Sequence, residues 1–323
     1  MECKKEDIRI MERKAYPGFE YHLNLYDILA HGTKEEQDKA NEAQQKYIKG
    51  YTLPEGMTME DRLIPGTEEG TELRIRVYTP AGLPEKAPVV LEIHGGGWVA
   101  GNLDIDNYRC IYLAEHTPCI VVGVEYRLTN KEVHFPAPLL DCYTALCWVH
   151  DHAAELGADP EKIGLHGTSA GGNLVGGLAL YVRDHGGPKI SLAVMNCPAV
   201  TGKVYTSTFQ NEKFALRKEG DKKDSVEHMY MGGMNGGNPS YYAMPGYCED
   251  LDGLCPIYLV IAEYDPLRDE GLEFAARLLQ AGVPCELNLA PRVGHGFCVV
   301  DHPLTRWVHD GVCASFRREF GML

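Results

Sequence analysis

No apolar run in this chain reaches the roughly 18 residues that a bilayer-spanning helix needs, so the sequence carries no helical membrane span. Positive charge is also in short supply. Thirty-one Lys and Arg face 46 Asp and Glu, a formal net charge of −15. That balance favours solubility and disfavours binding to nucleic acid or to an anionic membrane surface. Metal-ligand spacing is missing as well. Eleven cysteines are present, but pairs such as Cys142 and Cys147, or Cys248 and Cys255, match neither CxxC nor a zinc pattern, and an odd number cannot pair fully within one chain. The start, Met1-Glu2-Cys3-Lys4-Lys5-Glu6-Asp7, is charged and leads into no apolar segment. The expectation is therefore a cytoplasmic protein whose cysteines are reduced, mostly buried and not metal ligands.

What is present reads as an α/β protein. The 323 residues are 44% hydrophobic and 24% charged, an ordinary globular balance with enough apolar mass for a sizeable core. Residues 1–55 are polar and rich in helix formers. Beyond them, Leu73-Arg74-Ile75-Arg76-Val77-Tyr78 alternates as a half-exposed strand. Continuous apolar runs at 89–93, 120–124, 192–195 and 257–261 read as buried parallel strands. Helical patterns over 105–115, 139–156, 170–185 and 270–281 lie between them, which predicts βαβ crossovers and a mostly parallel sheet covered on both faces. The stretch 200–250 breaks the alternation. Its Met- and Tyr-rich composition suits a cap over a site at a strand's carboxyl end.

Gly167-Thr168-Ser169-Ala170-Gly171 follows a short apolar run and opens a helical one. A serine flanked by glycines at i−2 and i+2 at such a junction has the pattern of a nucleophile elbow, where a tight turn needs small neighbours. The spacing is a weak signal alone in a chain with 35 glycines. It gains weight from its company, because a serine nucleophile requires a base and a group to hold that base. Asp265 follows the 257–261 strand and His295 follows a strand at 285–289, in the order Ser, Asp, His. Glu263 and Asp269 compete with Asp265. Asp269 suits a helix start, and Asp265 is preferred over Glu263 on the family pattern that the resemblance given below implies. His150-Asp151-His152 invites a metal reading, but rings at i and i+2 of a helix face apart, and a solvated helix end is expected.

His94-Gly95-Gly96-Gly97-Trp98 follows the 89–93 strand. Acyl transfer develops negative charge on the carbonyl oxygen, and consecutive glycines let backbone N–H groups point at it. Gly96 and Gly97, with the N–H of Ala170, are the expected oxyanion donors. His94 is expected to brace the loop, and Trp98 to line the substrate pocket.

These segments, together with Glu125-Tyr126-Arg127-Leu128, the run Asp265-Pro266-Leu267-Arg268-Asp269-Glu270-Gly271, and His295-Gly296-Phe297, resemble the hormone-sensitive-lipase-like (bacterial family IV) carboxylesterases. The resemblance spans about Leu73 to the C-terminus. It implies an α/β-hydrolase fold with an eight-stranded, mostly parallel sheet. The core would be residues 56–199 and 251–323, with a helical cap from residues 1–55 and 200–250. It further implies hydrolysis of short- to medium-chain carboxylic esters and no metal or organic cofactor; the lack of a long apolar surface segment argues against a lipid interface, and short acyl groups such as acetyl are the expected substrates. Thr168 stands where many members carry aspartate, which assigns the chain to the branch with a GTSAG motif and points to different hydrogen bonding behind the elbow. Glu125 replaces a frequent aspartate in what is expected to be a structural ion pair. Two other readings stay open: an amidase or arylformamidase on the same triad, and a ligand-binding protein on a retired scaffold. A homodimer through the 285–289 edge strand is a further expectation, with a small-molecule ester as the partner in catalysis.

Overall fold

The computed structural model describes residues 14–19, 33, 35, 52–202, 226–232, 239–299 and 301–323. Most of the expected N-terminal part of the cap, and most of the 200–250 insertion, lie outside them. In chain order the strands are β1 (Thr58–Pro65), β2 (Glu72–Thr79), β3 (Ala87–Ile93), β4 (Ile120–Val124), β5 (Ala158–Thr168), β6 (Ile190–Asn196), β7 (Ile257–Ala262) and β8 (Cys285–Ala290). They form one sheet in the order β1-β2-β4-β3-β5-β6-β7-β8. β1 pairs antiparallel with β2, and β2 antiparallel with β4. From β4 onward every neighbouring pair is parallel. The apolar runs read from sequence became these central strands because a run with no polar face is stable only when covered on both sides.

The cover comes from α1 (Asn107–His116), α2 (Ala137–Asp151), α3 (Ala170–His185), α4 (Arg268–Gln280) and α5 (Pro303–Glu319). Side chains alternate across each strand, and the core divides accordingly. Val89, Leu91 and Ile93 of β3 belong to one cluster with Leu139 and Leu146 of α2, Leu174 and Leu178 of α3, and Phe274 and Leu278 of α4. Val90 of the same strand joins Ile111 and Leu113 of α1 and Val308, Val312 and Phe316 of α5 on the other face.

Two differences from the sequence reading have local causes. The helix expected over 139–156 divides into α2 and a separate turn, Ala153–Leu156, because His152 between them leaves helical geometry at ψ 17° and Gly157 closes the turn in the left-handed region. β1 has no apolar alternation to announce it. Its residues are mostly exposed, and pairing with β2 alone makes it a strand. Among the described residues, no helix is long and apolar enough to cross a membrane. All ten described cysteines are free thiols.

Candidate active site

Ser169 sits between β5 and α3 at φ +58° and ψ −118°, a conformation that disfavours a side-chain-bearing residue by on the order of 1–3 kcal/mol. The surrounding chain over-determines it. Ser169 N–H donates to Asn196 O at 2.8 Å, and Asn173 N–H donates to Ser169 O at 2.9 Å. The two flanking glycines are required by close approach of backbone. A Cβ at Gly171 would lie 2.0 Å from Ile93 O, and one at Gly167 would lie 2.4 Å from Gly171 O. The turn therefore presses the start of α3 against the end of β3, and leaves the Ser169 hydroxyl as the group that projects.

That hydroxyl meets His295. The Ser169 Oγ to His295 Nε2 distance is 2.8 Å, and His295 Nδ1 lies 2.7 Å from Asp265 Oδ2. Asp265, at 2% exposure, is three residues beyond β7, and His295, at 5%, is five residues beyond β8. The other Asp265 oxygen accepts the Leu267 N–H at 2.8 Å, which fixes the carboxylate plane. Three residues separated by as many as 126 positions are thus joined in one line of hydrogen bonds. The rival carboxylates are elsewhere. Glu263 accepts the Arg292 N–H at 2.7 Å, and Asp269 pairs with Arg268 at 2.7 Å in the first turn of α4. His150 contacts Asp151, and His152 stacks on Trp148 at the end of α2, as a helix end should.

The glycine loop after β3 reaches the same place. Gly95 packs so closely on the elbow that an added Cβ would lie 2.9 Å from Thr168 O. Among the described residues, nothing accepts the N–H of Gly96, Gly97 or Ala170. The loop is braced by His94, whose ring stacks on Tyr126 at 4.2 Å and whose Nδ1 contacts Gly95 O at 2.8 Å. Burial holds this imidazole below its ordinary pKa, so it is neutral. The Tyr126 hydroxyl donates to His94 O at 3.0 Å. Trp98, at 1% exposure and φ 62°, stacks face to face on Tyr230 at 4.5 Å and donates its indole N–H to Asn173. Of the five non-glycine residues with positive φ among the described residues, Trp98, Ser169, Cys197 and Arg292 follow β3, β5, β6 and β8, and Pro118 precedes β4.

Several supporting contacts escaped the sequence reading. Asn173 on α3 donates to Ala199 O and Ala243 O, tying the elbow helix to both ends of the insertion. Glu270, in the first turn of α4, accepts the N–H groups of Val200, Thr201 and Gly202. Beneath the elbow, Arg109 of α1 donates to Glu92, Asp106 and Thr168 in a buried cluster. Cys197, Asp265 and His295 form the one group among the described residues spaced to hold a metal ion. Two of these are the hydrogen-bonded pair just described. Burial and the Asp265 carboxylate push the Cys197 thiol well above its usual pKa. Glu125 pairs with Arg74 at 3.1 Å, and Arg127 with Asp141 at 2.9 Å, so the 125–128 segment is held by ion pairs.

Comparison with known proteins bears on the family and the fold. Residues 90–299 match a protein-family model described as alpha/beta hydrolase fold. The chain is 37% identical over 249 residues to the carboxylesterase NlhH of Mycobacterium tuberculosis, covering 76% of each. It is 34% identical over 270 residues to an arylesterase of Saccharolobus solfataricus, covering 82% of this chain and 84% of that one. A solved bacterial heroin esterase superposes with a TM-score of 0.79 at 32% identity, covering 92% of this chain and 93% of that one. The chain therefore belongs to the α/β-hydrolase fold family, within its hormone-sensitive-lipase-like group.

Proposed function

We propose that this protein is a serine carboxylesterase that hydrolyses small carboxylic esters, acetyl and other short acyl groups first, through an acyl-enzyme on Ser169. The observation that carries the reading is the unbroken line from Ser169 Oγ through His295 to Asp265, at 2.8 and 2.7 Å. His295 holds its proton on Nδ1, where Asp265 accepts it, and leaves Nε2 free to take the Ser169 proton as the hydroxyl attacks the ester carbonyl. Asp265 then stabilises the imidazolium. The N–H groups of Gly96, Gly97 and Ala170 receive the oxyanion, each worth on the order of a hundredfold or more in rate. His295 returns the proton to the leaving alcohol, and water repeats the path to release the acid.

Relatives named carboxylesterase and arylesterase support the ester class. In this reading residues 1–55 and 200–250 cap the core formed by 56–199 and 251–323, and the Trp98–Tyr230 stack forms part of the pocket wall. Exposed Leu287 and Leu289 on the edge strand β8 support a homodimer through that edge.

Ser169→Ala is the test. The variant should melt like the wild type, lose hydrolysis of p-nitrophenyl acetate and butyrate, and no longer react with a fluorophosphonate probe. Substantial turnover by a folded Ser169→Ala protein would refute the assignment.

A further inference from the structure

The residue before the nucleophile is held from below. Thr168 ends β5, where it pairs with Asn196 of β6, and its Oγ1 accepts a hydrogen bond from Nη1 of Arg109 at 2.5 Å. The same guanidinium donates through Nε to Glu92 at 3.1 Å and through Nη2 to Asp106. All four side chains are buried. We propose that Arg109 is a positioning residue for the Ser169 elbow, acting through Thr168, and that the two carboxylates already assigned to its single positive charge require an uncharged residue at position 168. The inference rests on the esterase reading.

Two lines of geometry connect Thr168 to catalysis. Its carbonyl oxygen is the surface on which the glycine loop packs at Gly95, and its backbone runs directly into the strained Ser169. A shift of Thr168 therefore moves the nucleophile and the loop amides together, and neither change is one that ground-state binding would report. The hydroxyl suits the site because it offers Arg109 an acceptor without adding charge. One guanidinium already falls short of neutralising its neighbours. Burial pushes Glu92 up to about 7 and raises Asp106 in spite of the contact with Arg109. Among the described residues the remaining oxygens, Glu92 Oε2 and Asp106 Oδ2, find no hydrogen-bond donor, although Glu92 Oε2 lies 2.6 Å from Nδ1 of His166. A third carboxylate at position 168 would enter a buried site with no further cation to pair with.

The experiment measures kcat and KM for p-nitrophenyl acetate in the wild type and in Thr168→Val, Thr168→Ser, Thr168→Asp and the double variant Thr168→Asp/Glu92→Gln. Thr168→Val keeps the shape and loses the acceptor. It should lower kcat by about tenfold or more while KM moves less than about threefold, the pattern of a lost transition-state interaction. Thr168→Ser restores the acceptor and should restore kcat. Thr168→Asp should be the slowest, and the double variant, which returns the cluster to two carboxylates per guanidinium, should regain about tenfold over it. Wild-type kinetics in Thr168→Val would overturn the proposal. So would a double variant no faster than Thr168→Asp when both melt like the wild type. If Thr168→Asp does not fold, the Val and Ser pair decides alone. A wild-type protein without turnover would overturn the esterase reading itself, and the inference with it.

Discussion

Replacing Glu92 by Gln should change how stability depends on pH more than it changes stability at any one pH. Glu92 lies near the end of β3 with its carboxyl between Arg109 and His166, and burial raises its pKa from 4.5 to about 7. A carboxyl whose folded pKa lies above its unfolded one binds more protons in the folded state between those two values. Its contribution is therefore fully present below about 4.5 and is lost as pH rises through about 7. Each tenfold difference in proton affinity is worth about 1.4 kcal/mol, so the full displacement amounts to on the order of 3 kcal/mol. The glutamine amide copies the protonated carboxyl: its oxygen can still accept from Arg109, and its NH₂ takes the place of Oε2 beside His166. It does not titrate, so the variant should lack this part of the slope. Other buried groups, such as His94 and His166, slope the opposite way as they gain protons on acidification, and they are common to both proteins. The assay is urea unfolding of wild type and Glu92→Gln at intervals from pH 5 to 8. The stability difference between them should shift by about 2–3 kcal/mol in favour of the variant as pH rises. Parallel curves would refute the account of Glu92 as a carboxyl whose proton affinity rises on folding.

The elbow and the triad give two more predictions. Gly171→Ala brings a Cβ to 2.0 Å from Ile93 O and 2.6 Å from His94 O, both backbone atoms that cannot turn aside. It should destabilise the protein by about 1–3 kcal/mol and remove esterase activity, as checked by thermal melts and p-nitrophenyl acetate turnover; an active variant with the wild-type Tm would contradict the packing argument. Asp265→Asn retains the shape but offers His295 Nδ1 an N–H where an acceptor stood, which moves the ring proton to Nε2, the nitrogen facing Ser169. kcat should fall by about 10⁴-fold with the melt unchanged.

The sheet was legible because its central strands have no polar alternation at all, a pattern that only a strand covered on both faces tolerates. Ser169, Asp265 and His295 were legible because loops at strand ends are short, so chain order and strand ends bring such groups together. β1 was not legible: its eight residues are mostly exposed, and only the neighbouring strand distinguishes them from a loop. The buried cluster was hidden for a different reason. Glu92, Arg109 and His166 are polar residues inside runs that read as strand or helix, and nothing in their spacing tells that they face one another. Thr168 was the one visible trace of that cluster. The reason for a threonine there lies 59 residues upstream, at Arg109.

Strands β3, β5, β6, β7 and β8 are consecutive neighbours in the sheet, and each delivers one component at its carboxyl end: the glycine loop, Ser169, Cys197 beside Asp265, Asp265 and His295. Parallel neighbours sit about 4.8 Å apart, a distance fixed by main-chain hydrogen bonding and not by side-chain identity. The reach between nucleophile, base and acid is thus inherited from the backbone lattice. Residues that meet the substrate can diversify during descent while that spacing stays constant, so a lineage built on this sheet can exchange one ester for another without re-inventing its proton transfer.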